Sequence, residues 1–123
     1  MRIYLTHDRG YDFVSELYEP LENSLSTDYD IFFPHKNHAD SLNSKDIIAN
    51  SDVVIAEVSY ASTGQGIELG WANADNIQII CFYRSGTKIS GALKFICNNF
   101  IEYSTKENMI EQLRTELAKL SNV

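Results

Sequence analysis

Asp52-Val53-Val54-Ile55-Ala56-Glu57-Val58 runs through Ser59-Tyr60-Ala61-Ser62-Thr63-Gly64-Gln65-Gly66 into Ile67-Glu68-Leu69-Gly70-Trp71-Ala72. The first segment is apolar but for Glu57, the pattern of a strand buried on both faces of a sheet. The second holds the small residues of a tight loop. The third has the composition of a helix with a carboxylate, Glu68, in its opening turns. A helix start presents unpaired backbone N–H groups and is a ready anion site. A strand, a short loop and a helix in that order are the beginning of a βαβ unit, so this stretch points to an α/β fold.

The flanking sequence repeats the alternation. Arg2 to Thr6 is a β-prone run, and Phe13, Val14, Leu17 and Leu21 follow at helical spacing, with Pro20 placed to kink or restart that helix. Asp30 to Pro34 is a second strand, and a polar loop from His35 to Asn43 leads to a short helix over Ser44 to Asn50. After the strand Val53–Val58 and a helix from Gln65 to about Asp75, Ile77 to Tyr83 is a fourth strand. A glycine-containing loop, Arg84 to Lys88, precedes a short helix near Ser90 to Cys97, and Phe100 to Tyr103 is a fifth strand. Ser104-x-x-Glu107 has the form of a capping box opening a last helix, with Ile110, Leu113, Leu117 and Leu120 on one face. No repeat or linker is visible, so residues 1–123 are expected to form one domain. The pattern predicts a flavodoxin-like, Rossmann-like three-layer sandwich around a five-stranded parallel sheet of order 2-1-3-4-5. Ligands of such sheets bind beyond the strands' carboxyl ends, at the switch between the first and third strands. The loops Thr6–Gly10 and Ser59–Glu68 should therefore converge on one crevice.

Composition narrows the partners. Ten Lys and Arg against 17 Asp and Glu give a formal charge of −7, the wrong sign for a broad nucleic-acid surface. Cys81 and Cys97 are too far apart for a zinc motif and too few for a disulfide framework, and they read as buried thiols of a reducing compartment. No apolar run approaches twenty residues. A cytoplasmic protein without membrane association is the expectation.

Within the crevice, Gly64-x-Gly66 is not the dinucleotide fingerprint, because it lacks the third glycine and follows the third strand. It is either a plain tight turn or, with Ser62 and Thr63 at a helix start, an anion site. Glu68 is either a favourable partner of the helix dipole or an ionised acid projecting into the crevice. His7, His35 and His38 lack metal-ligand spacing, and neither a metal nor a cofactor is expected. Tyr4, Tyr60 and Trp71 are core residues or stacking platforms, and Lys88, Ser90 and Gly91 could reach a phosphate. A nucleophile elbow, a persuasive Cys/His pair and a Walker A loop are all missing.

Asp52-Val-Val-Ile-Ala-Glu-Val58 followed by Gly64-x-Gly66-Ile-Glu68-Leu-Gly70-x-Ala72 resembles the nucleoside 2-deoxyribosyltransferase family, closest to its branch of 2'-deoxynucleoside 5'-phosphate N-hydrolases. The resemblance implies that Glu68 is the nucleophile attacking C1' of the sugar, forming a glycosyl-enzyme ester that water resolves. It implies a 5'-phosphate held by Ser62, Gly64 and Gly66, with Ser90 supplied across a homodimer interface. Tyr4 matches a tyrosine at the end of the first strand, and His35 a histidine near the base. The first loop, where the family has a small phosphate loop, is Thr6-His7-Asp8-Arg9-Gly10. Thr6, Arg9 and Gly10 are its candidate binding residues, and Asp8 would repel a phosphate. The family's aspartate on the helix before the third strand corresponds to Ser44. Asp46 is the candidate acid, although an ideal helix turns it about 200° from Ser44. The expected function is hydrolysis of the base–sugar bond of a (deoxy)nucleoside 5'-monophosphate. The alternatives are base exchange by a deoxyribosyltransferase and a non-catalytic nucleotide-binding module.

Overall fold

The computed structural model describes residues 1–36 and 43–121; most of the expected His35–Asn43 loop, His38 included, lies outside the described residues. Five strands form one parallel sheet: β1 (Arg2–Thr6), β2 (Asp30–Phe32), β3 (Val53–Glu57), β4 (Gln78–Arg84) and β5 (Phe100–Tyr103), in the order β2-β1-β3-β4-β5. This is the expected α/β sheet order. Register places Thr6 beside Ala56 and Glu57 beside Phe82, so β1 and β3 end within one residue of each other while β4 runs two residues further.

The helices are α1 (Glu19–Ser24), α2 (Ser44–Ala49), α3 (Thr63–Ala74) and α4 (Lys106–Ser121). Alternate residues of the central strands bury two separate cores, as the period of a pleated strand requires. Ile3, Leu5, Val53, Ile55, Ile80 and Phe82 meet Leu17, Leu21, Met109 and Leu113 from the α1 and α4 side. Tyr4, Val54, Ala56, Ile79 and Cys81 meet Ile48 and Leu69 from the α2 and α3 side. The helices thus cover both faces.

Several local features differ from the expectations. The first helix opens as a π-helical turn, Val14–Tyr18, that runs directly into α1, and Pro20, which has no N–H to donate back along the helix, stands at the junction. The short helix after β4 is a single 3₁₀ segment, Gly91–Phe95, capped by Ser90. The cap of α4 is displaced by one residue from Ser104-x-x-Glu107. Thr105 Oγ1 accepts the Asn108 N–H at 3.0 Å, and Asn108 Oδ1 accepts the Ser104 N–H at 3.0 Å. Asparagine provides the returning acceptor, and Glu107 stays exposed. After α3, Asn76 turns the chain with φ of 57°, a left-handed conformation that asparagine tolerates.

Candidate active site

Strand alternation sends Tyr4 and Thr6 to the α3 face at the carboxyl end of β1. Helix α3 begins at its N-cap Ser62, whose hydroxyl accepts the Gln65 N–H at 3.4 Å and whose carbonyl accepts the Gly66 N–H at 3.0 Å. One and a half turns on, Glu68 faces the strand. Its Oε2 accepts the Tyr4 hydroxyl at 2.5 Å and its Oε1 accepts the Thr6 hydroxyl at 2.8 Å. Burial, then the contact with Glu68, raises the Tyr4 pKa far above the usual tyrosine range, so Tyr4 stays a donor. Ser44 acts weakly in the opposite direction on the Tyr4 hydroxyl. Each oxygen of the half-buried carboxylate is oriented by one hydroxyl and keeps accepting capacity for a ligand.

The helix is locked to the strand ends by a residue that the sequence reading used only as a boundary. Gln65 is 5% exposed, and its Nε2 donates to the carbonyls of Glu57, at 2.7 Å, and of Thr6, at 3.2 Å. One amide thus ties together the ends of β1 and β3 and the first turn of α3.

Beside the α3 N-terminus lies a cavity of about 590 Å³. Ser59, Ser62, Gly66, Lys88, Ser90 and Gly91 are among its polar and small lining residues, and Leu69, Ile89 and Leu93 among its apolar ones. The structure therefore gathers Ser62, Gly66 and Ser90 around one space. Glu68 does not line that cavity; it lies on the β1 side of the same helix. The Gly66 and Gln65 N–H groups are engaged by Ser62, so the first-turn amides left without a partner of this kind are those of Thr63 and Gly64.

The remaining predicted residues lie elsewhere. Asp8 Oδ2 accepts the Gly10 N–H at 2.9 Å, so a carboxylate of the first loop already takes the amide a phosphate would use. Arg9 is exposed. Asp46 is exposed too, on a shallow cavity shared with Arg2, Asp30, Phe32 and Asn50, whereas Ser44 turns inward to Tyr4. The two differ by about 200° around α2, which is why spacing alone could not bring Asp46 to Glu68.

His35 packs on the opposite face of the sheet, its ring 5.4 Å from His7 and 6.0 Å from Phe13. There Nδ1 of His7 lies 2.7 Å from the Asp8 carbonyl, which can only accept, so that nitrogen carries the proton. Nε2 then accepts from the Tyr18 hydroxyl at 2.7 Å, and that oxygen accepts the His35 N–H at 3.0 Å. Burial lowers the His7 pKa to about 4, so it is neutral near pH 7. Among the described residues no cluster of His, Cys, Asp and Glu is arranged to hold a metal ion, and no helix is long and apolar enough to cross a membrane.

With this geometry in place, relatives are informative. No family model matches the sequence. A Trichoplax adhaerens protein, named by inference as 2'-deoxynucleoside 5'-phosphate N-hydrolase 1, is 39% identical over 54 residues, 42% of this chain. The chain spans 38% of that relative's length in the match. In three dimensions it is similar to a CMP N-glycosidase of Clostridium botulinum, with a TM-score of 0.69 at 19% identity over 93% of this chain and 99% of that one. A conserved protein of Enterococcus faecalis aligns with a TM-score of 0.64 at 18% identity over 94% and 98%. The local match and the shared fold support the nucleoside deoxyribosyltransferase-like family. Within the sheet order β2-β1-β3-β4-β5, Glu68 and its two hydroxyl partners stand at the switch between β1 and β3, where such folds open their ligand crevice.

Proposed function

We propose that this chain is an N-glycosidase that hydrolyses the base–sugar bond of a nucleoside 5'-monophosphate, with Glu68 as nucleophile. The observation that carries the reading is the Glu68 carboxylate, oriented by Tyr4 and Thr6 beside the start of α3. A Glu68 oxygen attacks C1' as the C1'–N bond breaks. The base leaves with the bonding pair and takes up a proton from solvent, which the attacking water later gives back, and the sugar remains as an ester on Glu68. Water then attacks C1', releasing sugar phosphate and restoring the carboxylate. The oxocarbenium-like charge at C1' is stabilised by the adjacent carboxylate. Tyr4 and Thr6 fix its direction, so that little reorganisation accompanies attack.

The 5'-phosphate is assigned to Ser62, Ser90 and Lys88 of the cavity, together with the free first-turn amides of Thr63 and Gly64 at the adjoining start of α3. Asp46 is left out of this chemistry because it points to another face. The chain is proposed to act as a homodimer in the cytoplasm. Ile67 on α3 and Phe95 at the end of the 3₁₀ segment are 49% and 78% exposed, apolar side chains of the kind a second copy would cover. The buried free thiols Cys81 and Cys97 suit a reducing compartment.

The test is incubation with a panel of nucleoside 5'-monophosphates and the matching nucleosides, with products separated by chromatography. Release of free base and sugar phosphate is the expected result. A new nucleoside formed from an added second base would assign transfer instead, and binding without any product would assign a non-catalytic module.

A further inference from the structure

Eleven residues before Glu68, the same stretch carries a second carboxylate that the proposed reaction does not use. Glu57 is 1% exposed at the end of β3 and points to the face opposite Glu68. Its Oε1 accepts the Ser59 N–H at 2.6 Å. Its Oε2 accepts the Ser59 hydroxyl at 2.9 Å and the Tyr103 hydroxyl of β5. The Ser59 Oγ accepts the Arg84 N–H at 2.9 Å, which fastens the same residue to the end of β4. Tyr60, the next residue, is gripped by the Arg84 side chain, whose Nη1 donates to its hydroxyl at 3.2 Å while the guanidinium lies 5.7 Å from the centres of the Tyr60 and Tyr11 rings. The loop from Ser59 to the α3 cap is thus fastened at its first residue by the Glu57 side chain. At its far end, through Gln65, it is fastened by the Glu57 carbonyl.

We propose that Glu57 is a positioning residue, a fixed internal acceptor that shapes the β3–α3 loop and so places Ser62 and the first-turn amides of α3 for the ligand's phosphate. The assignment rests on the phosphate site proposed above. Glu57 touches neither the cavity nor Glu68, so its effect falls on binding of the phosphorylated substrate. Glutamine at this position keeps an acceptor for the Ser59 N–H, and its amide N–H groups can donate to the Ser59 and Tyr103 oxygens, which are able to accept. Alanine keeps neither.

Steady-state kinetics of Glu57→Ala and Glu57→Gln with a nucleoside monophosphate and with the parent nucleoside test this. For Glu57→Ala, KM for the monophosphate should rise about tenfold, the loss of one well-placed charged hydrogen bond, with kcat and nucleoside KM little changed. Glu57→Gln should restore KM to within about threefold of the native value. A loss confined to kcat, or one equal for both substrates, overturns the proposal. If Glu57→Ala does not fold, Ser59→Ala takes its place; it removes one donor to Glu57 together with the acceptor of the Arg84 N–H, and an unchanged monophosphate KM in that variant overturns the proposal. If the native protein turns over no substrate, the functional reading fails by itself. Amide hydrogen exchange of residues 58–62 then decides. Faster exchange in the alanine variant, with β5 unchanged, supports the role of Glu57, and equal exchange overturns it.

Discussion

Glu57 and Glu68 lie in one continuous stretch and end at the same edge of the sheet, yet their surroundings are opposed. Glu57 is sealed, its acceptors filled by its own loop and by β5. Glu68 is half-buried and is held by two hydroxyls from another strand, with part of its oxygen surface open to the crevice. A carboxylate saturated by fixed donors resists change, whereas one steered by two donors and still open can form a bond. Strand alternation makes the difference: Glu57 belongs to the face covered by α1 and α4, and the Tyr4 and Thr6 side chains that hold Glu68 belong to the other.

Substitutions that treat the two alike would break this contrast. Glu68→Ala is expected to lower base release by at least about a thousandfold, the scale for removing a covalent nucleophile, with the melting temperature near the native value. Glu57→Leu should do the reverse. It leaves the Ser59 N–H and the buried Tyr103 hydroxyl without their acceptor, at a cost of about 3 kcal/mol in denaturant unfolding.

Acid probes the sealed face in another way. His7 has a folded-state pKa of about 4 against 6.5 for the ordinary side chain, so the unfolded chain binds the proton more readily. Its contribution is complete above pH 6.5 and is lost as the pH falls toward 4, about 3 kcal/mol in all. Urea unfolding at a series of pH values should show that slope, and His7→Phe should flatten it. The smallest effect is expected at the open site, where Tyr4→Phe removes one of two orienting donors and slows base release about tenfold without loss of binding.

The alternation of apolar strands with helical spacings made the sheet order legible before any coordinates, because crossover rules leave few ways to arrange five parallel strands. The position of Glu68 was legible too, since a carboxylate early in a helix after a central strand lies near the switch point. What stayed hidden depended on side-chain direction or on partners distant in sequence. Gln65 acts through the carbonyl of Thr6, 59 positions away, and no local pattern announces such a bond. Asp46 and Ser44 differ only by the phase of a six-residue helix. The Thr105 cap won over Ser104 because Asn108, one place beyond Glu107, could return the hydrogen bond. Glu57 did leave a trace as the one charge in an apolar strand. A buried charge of that kind requires donors, and the adjacent Ser59 was the nearest supply.

The most direct measurement compares Glu68→Gln with Glu57→Gln, each assayed for release of base from the best monophosphate and for equilibrium binding of it. Glu68→Gln should bind the nucleotide and release no base, while Glu57→Gln should do both at close to the native rate. Base release by Glu68→Gln, or its loss from both variants alike, would contradict the assignment of Glu68 as the reacting carboxylate and Glu57 as the fixed one.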